Sequence, residues 1–331
     1  MPPTQAAVID KVEFSFEQTV PRSLVHKRSL DNVLLTEIRA GDDDRFLCAG
    51  RLPTAHCFFN DADRTPQKDI LFYTELGRQA SLAISHAFLD VNTEDVFIFE
   101  GSYATVTQAA WRSQSQAEPV VAVKILEATR RRNHAVSRVV AEHNISLGDD
   151  HVFHGIGSWT VQPAALFQRL RRMSTQGRSG TAADAAWDEA RIRADRFPGE
   201  CDNVVVSLAD YVDATDEFVA SLIVDDSHPY FFDHPCDHVP GMLLLEACSQ
   251  LALAAFAETT GAAPGTAGVC AYDVSFAQFV ECGHRTTLRA QVDAAETSGS
   301  SARSPKVRIS ISQGDVVCGT TTMNVAFPIG V

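Results

Sequence analysis

The chain has 331 residues, enough for two domains with real cores, and its 45% hydrophobic, 21% charged composition is that of a globular protein. A formal net charge of −14 argues against a nucleic-acid binder, which needs a basic surface to neutralise phosphate, and against attachment to an anionic membrane surface. No stretch reads as long and charge-free enough to span a bilayer, and MPPTQAAVIDKVEF lacks the basic-then-apolar layout of a signal peptide, so a cytoplasmic protein is expected.

In chain order, the first strand is expected at VLLTEI after Asn32. An acidic turn, a second strand near Phe46 and an aromatic-rich loop with His56 follow. A long helix is predicted from about Asp69 to Leu89, then strands at VFIFEG, VVAVKILEA and VSRVVAEH. The polar segment from Gln162 to Glu200, with turn-forming residues 175–181 and an Ala-rich amphipathic stretch 182–196, reads as a linker carrying one helix. After it come VVVSLA following Asn203, a strand near Phe218, and the histidine-rich loop HPYFFDHPCDHVPG. A second long helix should run from Pro240 to Thr260, with Pro240 in the first turn and Gly261 closing it. The strands VCAYDVSF, TTLRAQVDAA, KVRISIS and VVCGTTTMNVAF complete the chain.

Two halves of this order match. Asp31-Asn32-Val33, Glu75 and Gln79 recur 171 residues later as Asp202-Asn203-Val204, Glu246 and Gln250, and Phe46 and His56 recur 172 later as Phe218 and His228. Collinear anchors at half the chain length indicate a tandem duplication. Both long helices are apolar on nearly every face, so each must be enclosed by other structure. One enclosed helix and several antiparallel strands per copy give an α+β double hotdog: an antiparallel sheet wrapped round a long central helix, twice. The expected units are residues 1–162, a linker with a helix at 163–200, and residues 201–331.

Glu75 and Glu246 are acidic residues set in apolar helices. Each has a glutamine at i+4 on the same face. A desolvated carboxylate should have a raised pKa, suited to acid or base work near neutrality, although a Glu that only caps a neighbouring backbone group fits the same pattern. His56, His228 and His234 precede the helices as candidate partners. Gly241, at the second helix's start, could offer its N–H to a thioester carbonyl. The eight cysteines form no CxxC pair or zinc spacing, so reduced thiols, no metal and no cofactor are expected, with Cys57 and Cys248 read as small hydrophobes and the HxxH of His151 and His154 as an isolated pair.

The run FFDHPCDHVPGMLLLEACSQ resembles the active-site segment of β-hydroxyacyl carrier-protein dehydratases. The stronger resemblance is to the AfsA (A-factor biosynthesis) family, carried by VHKRSLDNVLLTEIR, RLPTAHCFFND and TELGRQA in the first copy and HPYFFDHPCDHVPGMLLLEA in the second. It implies two tandem hotdog repeats and a γ-butyrolactone signal synthase, which transfers a β-ketoacyl chain from acyl carrier protein to the hydroxyl of dihydroxyacetone phosphate. It also implies that Glu75, Arg78 and Gln79 form the family's Glu-x-x-Arg-Gln motif, with Glu246 and Gln250 as the second copy's equivalents. Ser249 stands where that family usually has Arg. The expected pairings are His56 with Glu246, and His228 or His234 with Glu75, with the Glu75 site favoured for a phosphorylated acceptor because it keeps Arg78. Arg130 to Arg132, or Arg169 to Arg172, could dock the acidic carrier. The alternatives are a hotdog dehydratase or thioesterase acting on carrier thioesters, and a non-catalytic acyl-binding regulator. The tandem pair can complete a hotdog dimer within one chain, so monomer and homodimer are both compatible.

Overall fold

A computed structural model describes residues 13–61, 65–112, 117–175, 203–207, 210–263, 265–293 and 305–327. The first copy holds β1 Leu35–Ala40, β2 Arg45–Gly50, α1 Ile70–Phe88, β3 Val96–Val106, a short α2 Gln108–Arg112, β4 Pro119–Arg130, β5 Val136–Leu147 and β6 Asp150–Gln162. The second holds β7 Asp210–Val212, β8 Glu217–Ser221, α4 Gly241–Thr260, β9 Gly268–Phe276, β10 Thr287–Val292, β11 Lys306–Gln313 and β12 Val316–Ala326. Between them lies α3 Ala164–Thr175.

The strand order is β1-β2-β4-β5-β6-β3-β9-β12-β11-β10-β8-β7, antiparallel throughout. Read outward from the β3–β9 seam, both halves run in the same order, as the duplication requires. Gly101 opposes Ser275 at this seam, where a Cβ on it would collide with the Val274 carbonyl. One continuous sheet thus curls round two helices, the hotdog architecture made twice.

Asp69 caps α1 by accepting from the Leu71 N–H, which satisfies one of the first-turn donors. Gly261 ends α4 at φ 72°, a left-handed turn that suits glycine. Leu71, Phe72, Leu76, Ala80 and Ile84 of α1 are buried, and Leu245, Ala247, Leu251 and Ala252 of α4 are fully so. By length and composition α4 is apolar enough to cross a bilayer, contrary to the sequence expectation, but 67% of its most apolar window is buried in the protein core.

Three local features differ from expectation. β6 was not foreseen, because Gly155 and Gly157 occupy inward positions and dilute the apolar alternation. VVVSLA forms only an isolated bridge, Val206 to Leu222, among the described residues. The segment taken as linker begins with a helix, α3, while the stretch 182–196 lies outside the described residues. Phe167 of α3 packs edge-on to Phe279, and Arg171 is buried between Asp237 and Glu281.

Candidate active site

Each copy builds the same buried polar knot. Gln79 donates to Glu75 Oε1 (2.8 Å) and to the Asn32 carbonyl (2.8 Å), while its own oxygen accepts from the Leu34 N–H. Gln250 repeats this with Glu246 (2.7 Å), the Asn203 carbonyl and the Val205 N–H. The knots are stitched across the copies. Asn32 donates to Pro229 O and Asp233, and Asn203 donates to Cys57 O and Asp61. Around them Phe58 stacks on Tyr230 at 4.6 Å between ring centres, and Phe59 and Phe231 pack edge-on.

His56 and His228 belong to these knots. His56 Nδ1 faces the N–H groups of Phe58 and Phe59, so Nε2 carries the proton and donates to Asn32 Oδ1 at 3.0 Å. His228 does the same with Tyr230, Phe231 and Asn203. Both nitrogens of each ring are occupied, and burial lowers the His56 pKa to about 4. His56 feels the charges of Lys27, Arg51, Glu75 and Asp31. It therefore sits in the Glu75 knot, where the sequence expectation paired it with Glu246. Each ring thus ties its own loop's amides to the neighbouring asparagine.

The copies diverge at the helix acids. Glu75 is fully buried, and Arg78 grips it through Nε (2.7 Å) and Nη2 (2.9 Å) while Lys27 Nζ approaches to 3.1 Å. Burial pushes the Glu75 carboxyl up. Arg78 and Lys27, with hydrogen bonds from Arg78 and Gln79, overcome that and hold it well below the usual carboxylate range. The expected raised pKa is thus reversed, because the cations come from outside the apolar face that the sequence shows. Glu75 is a fixed anion that anchors two cations. In the second copy Ser249 replaces Arg78 and is buried.

Lys27 reaches this point from a 3-10 turn, Arg22–Val25, closed by His26 at φ 52°. Its ammonium lies 5.0 Å from the Tyr230 ring centre. Burial lowers the pKa of Lys27, and Glu75 opposes the shift. His26 hydrogen-bonds His86 (2.9 Å), and burial, reinforced by His86 and Arg78, lowers its pKa to about 3.

A cavity of about 680 Å³, the size of a small-molecule site, runs along α1 from Thr74 to Leu82. Glu75, Arg78, Lys27, His26 and His234 line its polar end, and Phe97, Phe99, Phe153, Trp159, Phe167 and Met242 supply an apolar wall. Gly241 and Met242 bring the start of α4 to the same space, and the N–H groups of a helix's first turn have no intrahelical acceptor. A Cβ on Gly241 would lie 3.2 Å from the Phe99 ring. His234 is about half exposed; burial, then Arg78 and Lys27, lower its pKa, so the ring is neutral near pH 7. Its Nδ1 is 3.9 Å from Asp233, an electrostatic contact beyond hydrogen-bond reach.

Of the residues singled out from sequence, the structure thus brings Glu75, Arg78, His234 and Gly241 to one cavity. His56, His228, Gln79, Gln250 and Glu246 are not among the described residues of its wall. Lys27, Asp233, Ser81 and His143 were missed; Lys27 and Asp233 lie inside the motif segments, but nothing in their spacing marks them. The basic runs are partly structural: Arg131 bonds Val161 O, and Arg171 is buried between Asp237 and Glu281. Cys57 is exposed rather than buried, whereas Cys248 is buried.

Two hotdog units in one chain, with a cation-lined cavity against the first central helix and closed by the second, define a double-hotdog protein. The sequence matches the A-factor biosynthesis hotdog domain over residues 10–161 and 199–328, and the chain belongs to that AfsA family of γ-butyrolactone biosynthesis. It is 30% identical over 238 residues to the 2-oxo-3-(phosphooxy)propyl 3-oxoalkanoate synthase of Streptomyces virginiae, covering 71% of this chain and 76% of that protein. It is 29% identical over 257 residues to the protein of the same name from Streptomyces coelicolor, covering 76% of each. In fold it is similar to an oleoyl thioesterase from Lactobacillus plantarum, with a TM-score of 0.52, 16% identity, and coverage of 87% of this chain and 98% of that one. Its sequence kinship is with enzymes.

Proposed function

We propose that the chain transfers a β-ketoacyl group from an acyl carrier protein thioester to the hydroxyl of dihydroxyacetone phosphate, after which the phosphorylated ester closes to a butenolide. The observation that carries this reading is the convergence of Lys27 and Arg78 on one buried carboxylate at the polar end of an aromatic cavity. Two cations share Glu75. The remaining positive charge is formally balanced by Asp233, but that carboxylate is engaged by the Arg28 and Ser29 amides and Asn32. Arg78, a third exposed, offers its remaining donors to a phosphate. The α4 start offers Gly241 and Met242 to the carbonyl oxygen as negative charge grows on it, and the apolar wall takes the chain. His234, beside Arg78 and neutral, hydrogen-bonds the acceptor. The names of the two relatives describe the product of such a transfer.

The test supplies the protein with a β-ketoacyl carrier-protein thioester and either dihydroxyacetone phosphate or unphosphorylated dihydroxyacetone, with products read by mass spectrometry. The phosphorylated ester or its butenolide should form, and the unphosphorylated acceptor should react at least about tenfold more slowly, since a charge-assisted contact is worth roughly 1.5–3 kcal/mol. Free acid released equally well without acceptor, or enoyl product from a β-hydroxyacyl carrier-protein thioester run in parallel, would replace this reading with thioester hydrolysis or dehydration.

The carrier's place is the outer face of α3, where Leu166, Arg169, Leu170 and Arg172 are exposed while Phe167 lines the cavity. Arg169→Glu should raise KM for the carrier-bound donor severalfold and leave a small thioester donor unaffected. Equal losses with both donors would remove α3 from the docking surface.

A further inference from the structure

Ser81 and His143 form a polar pair on the cavity wall that the transfer above leaves unused. Ser81 lies on α1 one turn beyond Arg78, on the same face. Its Oγ is 2.6 Å from His143 Nε2. His143 rises from β5, opposite Gly155 of β6, whose backbone favours the protonated ring. With the proton on Nδ1, Nε2 turns its lone pair to Ser81 and the hydroxyl is the donor. Burial lowers the ring's pKa to about 4, against the effect of the Gly155 backbone. Gly77 makes the approach possible, since a Cβ there would lie 3.3 Å from the imidazole. A glycine inside a helix is destabilising relative to Ala, and here the space it leaves is filled by the His143 ring.

We propose that Ser81 is a nucleophile that takes the acyl chain before the acceptor does, with His143 as its base. The inference rests on the acyl-transfer reading above and adds a covalent stage to it. Ser81 Oγ attacks the thioester carbonyl carbon as its proton passes to His143 Nε2. The C–S bond breaks, the departing sulfur takes that proton and leaves as a thiol, and the chain remains as an ester on Ser81. The acceptor hydroxyl then attacks this ester and gives its proton to His143 Nε2. The bond to Ser81 Oγ breaks, and Ser81 recovers the proton from the same imidazole. Hydroxyl and imidazole have the relationship of an activated nucleophile and its base, with the Gly155 backbone opposite the residue that carries the ring. A serine that merely satisfies a buried histidine has the same geometry and forms no ester.

The deciding experiment uses the full chain, a medium-chain β-ketoacyl N-acetylcysteamine thioester and isotopically labelled free N-acetylcysteamine, without acceptor. A Ser81 ester returns the label to the thioester, and Ser81→Ala should lower that exchange at least about 100-fold, the scale set by losing a positioned proton-transfer pair. Ser81→Cys should accumulate an acyl adduct that maps to the peptide carrying residue 81. Exchange that survives in Ser81→Ala, an adduct elsewhere, or no exchange in a wild-type sample that makes ester once dihydroxyacetone phosphate is added would overturn the covalent stage and leave the transfer reading standing. No ester even with acceptor would fail the transfer reading itself, and this inference with it.

Discussion

Arg78→Ser should lower kcat/KM for dihydroxyacetone phosphate by about 10- to 100-fold, the loss of a charge-assisted contact of roughly 1.5–3 kcal/mol. The substitution gives the first copy the residue that the second already carries at Ser249. Lys27 remains, so the phosphate keeps one cation, and the effect should appear mainly in KM for the acceptor. Arg78→Lys should restore little, because an ammonium cannot reproduce the fork that bonds Glu75 through both Nε and Nη2. Turnover with unphosphorylated dihydroxyacetone should barely change. An equal fall with both acceptors would show that Arg78 orders Glu75 and does not meet the phosphate.

Glu75→Gln should destabilise the fold by about 3–5 kcal/mol, the usual consequence of removing one partner from a buried ion pair. The side chain keeps its size, but Lys27, with 6% of its side chain exposed, is left facing Arg78 with no carboxylate between them. Adding Lys27→Met should recover part of the loss, since one buried charge then disappears. Acid should expose the same interaction. The folded-state pKa of Glu75 lies below its unfolded value, so its stabilisation is complete above the ordinary carboxylate range near about 4.3 and is lost as pH falls from there toward the folded value. The gap in denaturant midpoint between wild type and Glu75→Gln should therefore be smaller near pH 3 than at neutral pH. A constant gap across that window would mean that the glutamine perturbs packing rather than charge.

The two acids looked interchangeable in sequence: apolar helix, glutamine one turn on, histidine in the loop before. That reading located the two knots and the helix on which the cavity lies, since Gln79 and Gln250 do bond their acids. It paired His56 with the wrong acid, Glu246 instead of Glu75. Spacing along the chain cannot show that both nitrogens of His56 are taken up by its own loop's amides and Asn32. His234 and Gly241 come from the second copy and reach the first copy's cavity only because the sheet is continuous through β3 and β9. Ser81 gave no signal at all, being one small residue in an Ala-rich helix.

The features legible along the chain are periodic or repeated: the duplication, the two enclosed helices with their Asp69 and Gly261 ends, and the departure of Ser249 from Arg78. Such features are written in neighbouring residues and survive being read in one dimension. Only folding fixes the direction of the Glu75 pKa shift, because Lys27 arrives from a distant turn, and only folding sets Ser81 against His143 from a separate strand. A side chain's protonation and reach depend on the whole shell of groups around it, and the chain assembles that shell from segments far apart in order.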